Sequence, residues 1–159
     1  MGNESNKAAL KRAMTLCSRS EKCISDIMSK LSDWGISDHA EMQKIIQELI
    51  NEKFIDESRY AKFYALDKHK FNNWGKIKIR MMLISRGIST SNTDMALREI
   101  DMETYRSNLL QTMKSKRSTI KAKNQFDIKA KLFRFAQSKG YEADLIYKTL
   151  DEIISSEGH

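Results

Sequence analysis

Residues 54–89 read FIDESRYAKFYALDKHKFNNWGKIKIRMMLISRGIS, and the division of this passage into elements decides the fold of the whole chain. Asp56 is placed to accept the unpaired N–H groups of a first helical turn, and Glu57 beside it suits the positive end of the helix dipole. The helix they open carries Tyr60, Phe63, Tyr64 and Leu66. The step Trp74-Gly75 begins a second helix with Ile77, Met81 and Ile84 at helical spacing. Arg86-Gly87-Ile88 closes it, because glycine takes the left-handed conformation that ends a helix at no steric cost.

The same pattern recurs on both sides. Leu10, Ala13, Met14 and Cys17 share one face of a helix within residues 7–19, and Ser20 offers a cap for a second with Ile24, Ile27, Met28 and Leu31. That helix ends at Trp34-Gly35, with Ile36 placed to fold back onto its last turn. Ser37 and Asp38 cap a third, whose face is Met42, Ile45, Ile46, Leu49 and Ile50. Beyond the central passage, Ser91 and Asp94 have capping-box spacing ahead of Met95, Leu97 and Ile100. Tyr105, Leu109, Leu110 and Met113 form the next face, then Phe126, Leu132, Phe133 and Ala136 up to Lys139-Gly140-Tyr141, then Leu145, Ile146, Leu150, Ile153 and Ile154.

Gly35, Gly87 and Gly140 are 52 and 53 residues apart, and Ile27, Ile79 and Leu132 each stand eight positions before one of them. Matching offsets of this kind mark an internal repeat. With no proline and only six glycines, the chain has few helix breakers. The expected fold is all-α: an elongated, curved array of three tandem three-helix repeats, residues 7–53, 54–101 and 102–156, with flexible ends at 1–6 and 157–159.

The net charge is +7, and it is unevenly spread. Residues 1–50 hold seven basic and seven acidic side chains, whereas Lys62 to Arg86 hold seven basic residues against Asp67, and Arg106 to Lys139 hold ten against Asp127. Lys76, Lys78 and Arg80 crowd a helix start, where the dipole disfavours positive charge, so a use other than helix stability is indicated. Arg86 sits near the helix end, where the dipole favours it. Lys121, Lys123, Lys129, Lys131 and Arg134 occupy the corresponding region of the third repeat. Together these nine are the candidate contacts to a polyanion or an acidic protein groove. Charges on solvated faces are the plainer reading of the same pattern, and Phe71 and Phe135 are the aromatics to check for exposure.

Chemistry is sparse. No phosphate loop, dinucleotide fingerprint, zinc helix or nucleophile elbow occurs, and the adjacent carboxylates Asp56-Glu57 and Asp151-Glu152 point apart on a helix. His39, His69 and His159 lie far apart in polar stretches and are read as solvated surface residues. Cys17 and Cys23, six apart, match neither a redox motif nor a metal half-site and are read as reduced thiols. No catalytic residue, metal or cofactor is expected, nor a membrane span, and the cytoplasm is the expected compartment.

Phe54-Ile55-Asp56-Glu57-Ser58-Arg59-Tyr60-Ala61, then Trp74-Gly75-Lys76-Ile77-Lys78-Ile79-Arg80, then Leu83-Ile84-Ser85-Arg86-Gly87-Ile88 together resemble the central signature of the RecX family of bacterial recombination regulators. The resemblance implies tandem three-helix repeats over residues 7–156 and a non-enzymatic regulator of DNA repair, homologous recombination and the SOS response. It implies binding in the groove of the RecA filament on DNA, commonly with inhibition of ATP hydrolysis, strand exchange and co-protease activity. Single- and double-stranded DNA would be bound more weakly alone, by a monomer. The family's basic helix matches Lys76, Lys78, Arg80 and Arg86. The residues by themselves also allow a free-standing basic helical DNA-binding module, or a scaffold that binds protein only.

Overall fold

The computed structural model describes residues 2–157, in the helix order α1 (Gly2–Arg19), α2 (Ile24–Asp33), α3 (His39–Asn51), α4 (Glu57–Asn72), α5 (Lys76–Ser85), α6 (Thr90–Arg98), α7 (Met102–Arg117), α8 (Gln125–Ser138) and α9 (Ala143–Glu157). No strand occurs among the described residues. The first helix begins ahead of residue 7; Met1, Gly158 and His159, which include one of the three histidines, lie outside the described residues.

The three repeat-marking glycines do the same work. Gly35, Gly87 and Gly140 have φ of +90, +84 and +97°, in the left-handed region, and the residue after each donates its N–H five residues back: Ile36 to Leu31, Ile88 to Leu83, Tyr141 to Ala136. Each motif satisfies carbonyls that a helix end leaves open and tucks an apolar side chain under the last turn. Ile36, Ile88 and Tyr141 are buried accordingly, and so are Ile27, Ile79 and Leu132, the residues eight positions before the glycines.

The contacts divide the chain into two compact units. Unit 1 takes residues 1–63 and 83–95, and unit 2 takes residues 64–82 and 96–159, so α4, α5 and α6 each contribute to both. In unit 1, α1, α2 and α3 pack on one another around Ala13, Ile27, Leu31, Ile46, Leu49 and Ile55. Asp38 accepts from Ala40 N–H and Asp56 from Arg59 N–H, as their positions predict. Two expected caps move. Helix α2 starts after Cys23, whose N–H donates to Asp26 at 3.1 Å, rather than after Ser20, and Ser89 rather than Ser91 caps α6 by accepting from Asn92 N–H at 3.0 Å. Glu57 does more than face a dipole: its carboxylate accepts from Ile24 N–H at the start of α2, and burial pushes its pKa up. Arg59 pairs with Glu21 from the same unit.

In unit 2, α7, α8 and α9 pack together around Tyr105, Leu109, Met113, Leu132, Ala136, Ile146 and Leu150. The expected faces of α4 and α5 are corrected here. Phe63 and Leu66 on α4 are exposed, and the residues buried on that helix are Tyr60, Ala61, Ala65 and His69. On α5 the stripe Ile77, Met81 and Ile84 faces solvent, while Ile79 and Leu83 are fully buried. Phe126, assigned to the α8 face, is 83% exposed, and Ile128 takes its place in the core. With apolar residues on both sides of α5, periodicity alone does not choose between them.

Candidate functional site

Unit 1 carries eleven Lys and Arg against eleven Asp and Glu; unit 2 carries seventeen against ten, so the whole excess of +7 belongs to unit 2. The excess positive charge is therefore carried by α7 to α9, their connections and the parts of α4, α5 and α6 that belong to unit 2.

Helix α5 is positioned by a close backbone approach. Gly75 N–H donates to Lys139 O at 2.7 Å and Ile77 N–H to Gly140 O at 2.9 Å, pressing the start of α5 against the turn between α8 and α9. A Cβ at Gly75 would lie 2.4 Å from the Gly140 carbonyl, and one at Gly140 would lie 2.3 Å from Lys78 Cβ. Lys76 N–H donates to Tyr105 Oη at 2.8 Å, so N–H groups that helix starts usually leave open are taken by tertiary partners.

Beneath this start lies a buried polar and aromatic node. His69, read from sequence as solvated, is only 4% exposed. Its Nδ1 lies 3.0 Å from Trp74 O, which can only accept, so Nδ1 carries the proton and Nε2 accepts from the Asn108 amide at 2.8 Å. The imidazole sits 5.1 Å from the Tyr105 ring, which is 5.1 Å from that of Tyr141. Tyr105 donates its own hydroxyl proton to Glu142; burial, reinforced by that bond, holds the phenol far above its ordinary range. His39, by contrast, is exposed as expected.

On this base, Lys76 lays its ammonium 4.9 Å from the Tyr105 ring centre, and Lys78 lays its own 4.6 Å from Trp74. Lys68, which charge and spacing do not single out, covers the same indole at 5.3 Å. Arg80 is half-buried on the same helix. Cation–π contacts of this kind hold a lysine against the protein without neutralising it.

The candidates of the third repeat separate into different roles. Lys121 and Lys123, in the connection from α7 to α8, and Lys129 and Arg134, on α8, are exposed. Lys131 is a tether: its ammonium donates to Lys121 O at 2.7 Å and pairs with Asp127 at 3.3 Å. Asp127 accepts from Lys123 N–H while Asn124 accepts from Asp127 N–H, a reciprocal cap that starts α8. The Lys123 N–H bond, with Lys131, holds the Asp127 carboxyl below its usual range. Phe135 is half-buried beneath Lys116 at 5.1 Å and Lys139 at 5.9 Å, whereas Phe71 is 70% exposed.

Arg86 stands apart from the other eight. It belongs to unit 1, donates to Tyr60 Oη at 2.9 Å and lies 3.9 Å from Asp26, which makes it part of that unit's packing. Lys68, Lys70, Lys116 and Lys139 are further cations of unit 2 that lie against aromatic rings.

Comparison with known proteins divides the chain differently from the two compact units. The description "RecX, second three-helix domain" matches residues 56–97 and "RecX, third three-helix domain" matches residues 103–150. A regulatory protein RecX of Clostridium acetobutylicum is 31% identical over 152 residues, covering 92% of this chain and 69% of that protein. This chain belongs to the RecX family. A RecX of Chlorobium phaeobacteroides, 26% identical, is covered over its full length. The fold agrees with solved RecX structures: a crystal structure of regulatory protein RecX aligns with a TM-score of 0.85 over 95% of this chain and 75% of the other, at 20% identity. RecX from Lactobacillus salivarius aligns at 0.84, over 94% and 97%, at 17% identity. The two RecX domain matches fall on α4–α6 and α7–α9, the stretches that supply all nine candidate cations. Among the described residues no helix is long and apolar enough to cross a membrane, and no cluster of His, Cys, Asp or Glu has the grouping of a metal site.

Proposed function

We propose that this chain binds, as a cytoplasmic monomer, in the groove of the RecA filament on DNA and lowers its ATP hydrolysis, strand exchange and co-protease activity. The observation that carries this reading, beside membership of a family of regulatory proteins, is the confinement of the excess positive charge to unit 2. We further read the chain as three tandem repeats, residues 7–53, 54–101 and 102–156, on the strength of the three equivalent glycine-ended turns. A regulator of this kind needs no catalytic group, since preferential binding to one filament state shifts that state's population. Repeated weak contacts to successive protomers and phosphates add through effective concentration.

The test is a titration of DNA-dependent ATPase of the cognate RecA with wild type and with K76E/K78E/R80E. Substoichiometric wild type should lower the rate and the charge reversal should not. An unchanged ATPase at concentrations where filament binding is demonstrated would rule out the inhibitory role. The exposed positions of Lys121, Lys123 and Lys129 favour a second reading, a free-standing DNA-binding module. It predicts strong, steeply salt-dependent affinity for bare DNA that RecA leaves unaltered.

A further inference from the structure

We infer that the outward face of α5 is a protein-docking face and not a phosphate contact. Ile77 and Met81 would seat in an apolar strip of an acidic protein surface, with Lys76 and Lys78 meeting carboxylates around it. This rests on the function proposed above, under which that surface belongs to the recombinase protomer.

Four observations converge on α5. At 100° per residue, Ile77 and Met81 fall on the side of the helix opposite the buried Ile79 and Leu83, and they are 48% and 66% exposed. Met102 of the same unit, 46% exposed, brings its sulfur to 3.5 Å from Lys76 Nζ and adds a third uncovered apolar side chain beside the cations. Helix α5 reads KIKIRMMLIS and holds no acidic residue. Finally, the N–H groups of Gly75, Lys76 and Ile77 are already bonded to Lys139, Tyr105 and Gly140, which removes the anion site that a helix start would otherwise offer.

A nucleic-acid backbone would satisfy the cations and give Ile77 and Met81 nothing to pack against. A protein surface removes both from water and uses the flexibility of methionine to fit it. Cations flanking exposed apolar side chains on one helix correspond to the arrangement of a protein–protein contact, with charge steering the encounter and the apolar anchors holding it.

The experiment compares wild type, I77S/M81S and K121E/K123E for binding to the RecA filament and to bare single-stranded DNA. I77S/M81S should weaken filament binding by about tenfold or more, as removal of central apolar anchors does. It should leave bare-DNA affinity and its salt dependence within about twofold. Both side chains are exposed, so an unaltered thermal midpoint shows that the fold is kept. K121E/K123E should lower bare-DNA affinity instead. If I77S/M81S weakens both equally, α5 is a nucleic-acid contact and the inference fails. If wild type binds the filament and I77S/M81S binds it equally well, the inference alone fails; if wild type does not bind the filament, the proposed function fails with it. A wild-type dimer that I77S/M81S dissociates would give the face to a second copy and overturn the inference too.

Discussion

Substituting the repeat-marking glycines by alanine separates two costs that the structure assigns differently. At Gly35 and Gly87 an added Cβ meets nothing within 4 Å, so only the left-handed backbone, at φ of +90 and +84°, resists the change. That strain is about 1–2 kcal/mol for a residue bearing a Cβ. Gly140 bears the same strain at φ of +97°, and its added Cβ would also sit 2.3 Å from Lys78 Cβ and 2.6 Å from Lys78 N. Overpacking of this kind costs about 1–3 kcal/mol more, for a total of about 2–5 kcal/mol. Gly75 isolates the second cost: its φ is outside the left-handed range, yet its Cβ would meet Gly140 C and O at 2.4 Å and Tyr141 N at 2.5 Å, all backbone atoms that do not swing aside. The order expected in urea denaturation is therefore G140A most destabilised, G75A next or equal, and G35A and G87A least. For a chain of this size each kcal/mol moves the thermal midpoint by roughly 2–4 °C, so G140A should fall clearly below G35A. Equal destabilisation at Gly35 and Gly140, with G75A unaffected, would show that the start of α5 does not rest on the α8–α9 turn.

Three further outcomes concern the site. Arg86→Ala should lower stability by about 1–3 kcal/mol, because it strips a charged donor from Tyr60 and leaves Asp26 without its neighbour, while bare-DNA affinity stays unchanged; a selective drop in DNA binding would return Arg86 to the interface. Replacing Lys121, Lys123 and Lys129 by Gln should reduce the slope of log affinity for single-stranded DNA against log salt by roughly 0.7 for each phosphate no longer neutralised, measured by fluorescence anisotropy; an unchanged slope would remove them from the phosphate path. Asp101, which accepts from Thr104 N–H and Oγ1, and Asp127, which accepts from Lys123 N–H, are both held below their usual range. Because their folded values are depressed, the stability they contribute is present above about pH 4 and is lost as pH falls through those values. D101N/D127N should therefore flatten the acid limb of thermal midpoint against pH, and an unaltered limb would assign the acid sensitivity elsewhere.

Much of the site was legible as charge and little of it as geometry. The cations from Lys76 to Arg80 and from Lys121 to Arg134 stand out because acids are nearly absent around them. That Arg86 and Lys131 are bound up in internal contacts, and that Lys68 shares an indole with Lys78 while Lys139 lies over Phe135, depends on how distant parts of the chain come together. His69 shows the same limit: its neighbours in sequence are polar, but Tyr105, Asn108 and Tyr141 come from other elements to enclose it.

The amino-acid order by itself determined the helical class and the places where helices end, because capping and left-handed glycine are local demands of the backbone that Asp38, Asp56, Gly35, Gly87 and Gly140 meet within a few residues. Its period also picked out Ile27, Ile79 and Leu132 by their common offset from the glycines, without assigning Ile79 to a face, and all three are buried. Only the tertiary structure decided which side of α5 faces inward. Ile77-Met81-Ile84 and Ile79-Leu83 are both acceptable apolar faces of one helix, and the choice was made by the backbone contact of Gly75 with Gly140 and the bond from Lys76 N–H to Tyr105, which set the rotation of α5 and left its more regular apolar stripe in water.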